Sequence, residues 1–386
     1  MDRAGEGPLL SIQQVFQLSS YGVKSGQVTF PRVTASSHRW ICCRHTSKKK
    51  KRDNCVTAIN LTRRTPRALT WPCSADSAMM NPRKPWLALK EWPSLLFVYR
   101  STAGKHFQIF NIVAEKQLYR CTMKDEVQYW SWLNDDVIGI VGSKFIYHWD
   151  LSPLGFSCPM KAFPRHGRLN FCQIVGYKAD PSFRWFAVLG LYKDYEDGDS
   201  NSVSGVVQIY SATVDRSQCI DAQAINFASY RRSDNKSINS VLIIVNRQAG
   251  LQGKLHIIEL GPHLDGNCSL TNHSEQVNFD DEERYDFPVS IQVSSSHGLV
   301  YILTKMGRLK LCDLETGTFL SSCRASHLTV FTCMPDTDGK RVLGISRCGR
   351  LLSMGVKEKA LVSHVRTVLK RPAIADRLER TFSETL

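Results

Sequence analysis

Short apolar runs recur along the chain in which large hydrophobic residues alternate with others, each closing on a polar or turn-forming residue. Phe107, Ile109 and Phe110 end at Asn111, Val207, Ile209 and Tyr210 at Ser211, and Leu309, Leu311 and Cys312 at Asp313. The same kind of ending occurs at 56–60, 145–150, 255–259 and 351–355. The seven starts, from Val56 to Leu351, lie 51, 38, 62, 48, 54 and 42 residues apart. Between them run further period-2 stretches at 137–141, 186–191, 241–245 and 299–303, separated by turn residues such as Asn134, Asp135, Gly142, Gly307 and Gly317. Alternation of this kind predicts strands. Four-strand units repeating every ~40–50 residues predict a β-propeller, in which each blade buries its faces against its neighbours. Seven endings predict seven blades over residues 1–355. The spacing alone also fits a pair of β-sandwiches or another β-solenoid.

After Gly355 the period changes. Leu361, Val365, Val368 and Leu369 recur at helical spacing, and Lys370, Arg371 and Pro372 close that segment. Ile374, Leu378 and Phe382 follow at i, i+4 and i+8. Residues 356–386 therefore predict two short amphipathic helices, the start of an α-solenoid.

With 42% hydrophobic and 22% charged residues, the 386-residue chain has enough apolar surface for a sizeable core. Its longest apolar runs, such as 95–98 and 241–245, fall far short of the roughly 18 residues of a membrane span. The first residues carry Asp2 and Glu6 and no apolar segment, so no secretory signal is expected there. None of the thirteen cysteines falls in a Cys-x-x-Cys pair, and most sit among apolar neighbours. Reduced, buried thiols in a cytosolic protein are the expectation. Net charge is +15, but two thirds of the excess lies within residues 1–70, much of it in the run 48–52. Such a run fits a solvated hairpin loop, a nuclear-import signal or a phosphate-binding patch.

Catalytic chemistry finds little support. There is no Gly-x-Gly-x-x-Gly, no phosphate-binding glycine loop and no His-Glu-x-x-His. Cys42, Cys43 and His45 form the one dense Cys/His group, better read as strand residues than as zinc ligands. Asp194, Glu196, Asp197 and Asp199 lack the spacing of a calcium loop, and His148 has no nucleophile nearby in sequence. No catalytic residue, metal or cofactor is expected.

Several blocks carry a family likeness. Residues 73–82, with Asp76, Met79, Asn81 and Pro82, resemble the terminal domain of the clathrin heavy chain, as does 107–112. So do Tyr147 to Trp149, Cys172 to Ile174, 253–259 and Asp286 to Val289. Leu303 to Lys305 followed by Asp313 to Thr318 is the most specific match. The likeness runs in order from about Gln13 to the end. It implies an all-β seven-bladed propeller followed by the first zigzag helices of the clathrin leg.

The resemblance implies a peptide-docking platform and not an enzyme, with adaptor proteins presenting short apolar and acidic motifs as partners. Carried over, the main groove between blades one and two takes Leu69, Leu87, Phe110 and Ile112 as apolar lining, with His106 and Gln108 as polar contacts. A second site at the propeller centre, for tryptophan-containing peptides, maps to Phe30, Gln173, Val175 and Leu191. A third groove, between blades four and five, maps to Trp185 and Ile209, with Arg216 nearby. For these apolar residues ordinary blade core is the competing reading. Three departures bear on the main groove. Trp71 stands where the family has an arginine, and Glu115 and Gln117 stand where it has two lysines, although Lys116 and Arg120 lie close in sequence. Residues 91–102 have no family counterpart. They read as a lid over the groove, as a patch packed on a neighbouring blade, or as a stretch foreign to the gene.

A cytoplasmic protein, peripheral on coated pits and coated vesicles and reaching membranes only through adaptors, follows from the likeness. The long leg and trimerisation hub have no counterpart in these residues, so a monomer is expected. Nucleic acid is not an expected partner. The alternative is a basic propeller scaffold with a nuclear or nucleic-acid-associated role, carried by the run 48–52.

Overall fold

A computed structural model describes residues 8–37, 39–46, 54–62, 66–73, 75–91, 106–193, 202–247, 252–270, 273–279, 285–336 and 338–384. The basic run 48–52, the insertion beyond Glu91 and the acidic residues 194–199 lie outside the described residues.

Among the described residues, twenty-eight strands form seven four-stranded antiparallel sheets. Blade one is β2 (Val33–Ser37), β3 (Trp40–Thr46), β4 (Asn54–Asn60) and β5 (Arg67–Pro72). Blade two is β6 (Ala75–Met80), β7 (Trp86–Glu91), β8 (His106–Asn111) and β9 (Lys116–Thr122). Strands β10 to β13 lie within 129–164, β14 to β17 within 173–221, β18 to β21 within 224–278, and β22 to β25 within 288–324. These make blades three to six. The last blade combines β26 (Val330–Pro335), β27 (Val342–Ser346) and β28 (Arg350–Val356) with β1 (Leu10–Gln17). Leu10 pairs with Val356 and Gln17 with Arg350. The first strand thus completes the final sheet and ties the ring shut. The innermost strand β2 packs against β6 on one side and β26 on the other.

This is the seven-bladed propeller that the strand endings predicted. The reason is the placement of the apolar surface. Seven clusters of buried side chains fill the spaces between successive blades, such as Val56, Ala58, Met80, Leu87 and Leu89 between blades one and two. Middle strands such as Leu299–Thr304 are buried on both faces, whereas an outer strand such as β5 is mostly exposed. Blades also approach closely where side chains permit it: a Cβ on Gly139 of blade three would lie 2.3 Å from the Tyr177 ring of blade four.

Two helices follow, α1 (Glu358–Thr367) and α2 (Pro372–Glu384). These are the two amphipathic helices that the spacing after Gly355 predicted. Leu361, Val362, Val365, Ile374, Leu378 and Phe382 share one apolar cluster with Leu299, Tyr301, Leu311 and Met354 of the last two blades. Propeller surface, not a further helical repeat, covers their apolar faces. Val368 is exposed because α1 has ended and the chain reverses at Lys370, whose φ is 54°. In α2, Arg377 is 8% exposed and its guanidinium donates to Asp313, with Glu315 3.8 Å away. No helix among the described residues is long and apolar enough to cross a membrane.

Candidate peptide-docking groove

The face that blade two turns toward blade one follows from strand alternation. Leu87 pairs with Phe110 and Phe110 with Gln117, while Leu89 pairs with Gln108 and Gln108 with Arg120. Leu87 and Leu89 belong to the core between the two blades, so this row of residues faces blade one. His106, two residues before Gln108, continues the row and bonds Thr122 Oγ1 through Nδ1 at 2.8 Å. On the opposing wall Leu69 pairs with Ala58 and Trp71 with Val56, and both partners lie in the same core. Leu69 and Trp71 therefore face blade two. The rings of Trp71 and Phe110 meet with centroids 5.9 Å apart and planes at 43°.

All six residues assigned to this groove lie along the junction of blades one and two, at different depths. Leu69 is 47% exposed, and Phe110, Gln108 and His106 are half-buried. Leu87 and Ile112, at 1% and 6%, form a closed floor beneath Phe110. The Gln108 amide donates to the carboxylate of Glu91, which stands on the same face two residues beyond Leu89.

The charged positions sort themselves by the same register. Lys116 pairs with Asn111, opposite Trp86, on the face turned toward blade three. Arg120 and Arg67 instead face the groove, Arg67 through its pairing with Asn60 across from Trp40. Both are exposed, and among the described residues neither is held in an ion pair. Sequence reasoning placed Arg120 only as a neighbour, took Glu91 as the first residue of an insertion, and missed Arg67. A register shift between Ile109 and Phe110 inserts Leu118 as an extra residue, so counting by twos across β9 assigns its side chains to the wrong faces. Glu115 occupies the turn between β8 and β9 at φ 51°, at one end of the groove.

The other two sets are placed as follows. Gln173 is exposed at the start of β14 (Gln173–Ala179) and pairs with Leu191 on β15 (Trp185–Lys193), with half-buried Val175 beside them. Phe30 lies across the ring, just ahead of β2, at the end where the innermost strands begin. Trp185 and Ile209 both belong to the core between blades four and five, where Ile209 is buried and Trp185 half-buried. Arg216 pairs with Ser211, which pairs in turn with Trp185.

Several titratable groups away from the groove are blade interior. Burial pushes the Cys43 thiol up to about 12 and holds Cys42 well above the usual thiol range. Burial lowers His148 to about 4, and its Nε2 bonds the Tyr177 hydroxyl at 2.6 Å. Among the described residues no group of three or more His, Cys, Asp or Glu is arranged to hold a metal.

No protein-family model matches the chain. Curated proteins do. The clathrin heavy chain of Drosophila melanogaster is 32% identical over 369 residues, which is 96% of this chain and 21% of that protein. Clathrin heavy chain 2 of Homo sapiens is 33% identical over 95% of this chain and 21% of its own length. The chain is a homologue of part of the clathrin heavy chain. It spans about a fifth of the length of these relatives, consistent with the terminal domain that its motifs resemble. Clathrin heavy chain 1 of Arabidopsis thaliana aligns at 31% identity over 98% of this chain. Among solved structures, a chain of the mitotic checkpoint complex aligns with a TM-score of 0.55 at 12% identity, covering 92% of this chain and 97% of that one. That likeness bears on the fold alone.

Proposed function

We propose that the chain is a clathrin-type coat module whose propeller docks short peptide motifs of adaptor proteins. It acts without catalysis, in vesicle-mediated protein transport and endocytosis. Residues 1–355 form the docking domain and 356–386 the start of a helical linker. The observation that carries this reading is the row formed by Leu69, Trp71, Phe110 and Gln108. It leaves apolar surface partly exposed along an interblade junction, on a chain homologous to clathrin over almost its whole length. An extended peptide presents alternate side chains to such a row, which gives it an apolar face and a polar one. The module is cytoplasmic and peripheral on coated pits and vesicles, reaching membranes through its adaptors.

Fluorescence titration with a labelled Leu-apolar-x-apolar-acidic peptide tests the reading. Saturable binding that weakens about thirtyfold in a Phe110→Ala variant supports it. Duplex DNA in the same assay tests the scaffold alternative, since phosphate-backbone binding falls steeply with salt and apolar-anchored docking only modestly. DNA binding without peptide binding would replace the proposal.

A further inference from the structure

The groove between blades one and two has a roof as well as a floor. Trp71 and Phe110 are half-buried and lie ring against ring, above Leu87 and Ile112, which water barely reaches. Among the described residues, a side chain arriving from solvent therefore meets two aromatic rings before any aliphatic pocket. Exposed Leu69 extends the apolar strip along β5.

The rim adds charge. Arg67 and Arg120 stand exposed on the two walls without ion-pair partners among the described residues, while the carboxylate of Glu91 is engaged by the Gln108 amide. Resting on the peptide-docking reading, we infer that Trp71 sets the selectivity of this groove. With Phe110 it forms a shelf for an aromatic peptide side chain that carries a carboxylate beside it.

The physical reason is shape and electrostatics. A flat ring covers the shelf by offset or edge-to-face contact, with few rotatable bonds to freeze, and such pairs attract beyond the area they bury. A branched aliphatic side chain gains most from a pocket, and here the floor is closed. The guanidinium groups attract the neighbouring carboxylate, more weakly as salt rises.

The test uses the whole chain and two labelled peptides, Leu-Ile-Ser-Leu-Asp and Phe-Ile-Ser-Phe-Asp. The parent should bind the phenylalanine peptide about tenfold more tightly, equivalent to about 1.4 kcal/mol. In Trp71→Ala the preference should fall to about one by loss of affinity for that peptide, and Trp71→Leu, which keeps apolar bulk on the strand, should do the same. Arg120→Gln should weaken both peptides by a similar factor and reduce their salt dependence. A preference that survives both Trp71 variants, or a parent that binds the two peptides equally, overturns the shelf and leaves the docking reading intact. Failure of the parent to bind either peptide overturns both.

Discussion

Replacing Arg377 with alanine should undock the second helix. The guanidinium, on a residue 8% exposed, donates to Asp313, whose side chain is wholly buried, and lies 3.8 Å from Glu315. Asp313 also accepts from the backbone N–H and the hydroxyl of Thr316 at 3.0 and 2.8 Å, and Glu315 accepts from the Tyr230 hydroxyl at 2.6 Å. Burial raises the Asp313 pKa, and the cation of Arg377 is the main influence holding it down. Without Arg377 a charged carboxylate remains in the interior with only its Thr316 bonds. Removing one member of a buried pair costs about 3–5 kcal/mol. A carboxyl whose pKa is raised by folding destabilises the fold while it is ionised. The loss should therefore be complete at neutral pH and shrink as pH falls toward the unfolded value of about 3.9. Urea unfolding measures the size of the effect, and amide hydrogen exchange within α2 shows where it acts. Arg377→Met combined with Asp313→Asn should recover part of the stability, because the wholly buried charge is gone and only Glu315, 14% exposed and bonded by the Tyr230 hydroxyl, loses its cation. A single-variant loss below about 1 kcal/mol, within the range of an exposed pair, with α2 exchange unchanged, would refute the argument that this pair clamps the helix.

Two further outcomes follow from the same reasoning. Phe110→Ala should weaken binding of a Leu-apolar-x-apolar-acidic peptide by about thirtyfold, since an aromatic anchor at a hot spot contributes about 2 kcal/mol; unchanged affinity in the titration would move the site elsewhere. His297 is 1% exposed with neither ring nitrogen hydrogen-bonded, and it meets the Phe382 ring edge-on at 4.9 Å. Burial, and next the nearby Lys340, lower its pKa to about 4. Its unfolded pKa is about 6.5, so the stability that it confers as neutral imidazole is complete above that value and is lost as pH falls toward 4. The total is about 3 kcal/mol. His297→Phe should flatten that part of the pH profile in urea unfolding, and identical profiles for parent and variant would refute the assignment.

The period of the fold was written in the chain because each blade repeats the same alternation of apolar positions closed by a turn. The seven apolar endings used to count blades fall on the third strand of each, from β4 at Val56 to β28 at Leu351. Such a strand alternates residues packed against a neighbouring blade with others and stops at a turn, which is a local signal. Leu69, Gln108 and Phe110 came from the family resemblance instead, and the structure places them along one interblade junction. What only the tertiary structure decided is everything set by distant partners. The pairing of Leu10 with Val356 joins residues at opposite ends of the chain, and no local pattern marks it. The extra residue at Leu118 turns Arg120 toward the groove and Lys116 away, although both lie close in sequence to the positions where the family has lysines. Whether Leu87 and Ile112 line a pocket or a closed floor depends on Phe110 and Trp71 above them, the latter brought from another blade. Arg377 reads as the polar face of an amphipathic helix until Asp313 and Glu315 are placed beneath it. Alternation records which residues leave water; the neighbour that each one meets depends on contacts far apart in the chain.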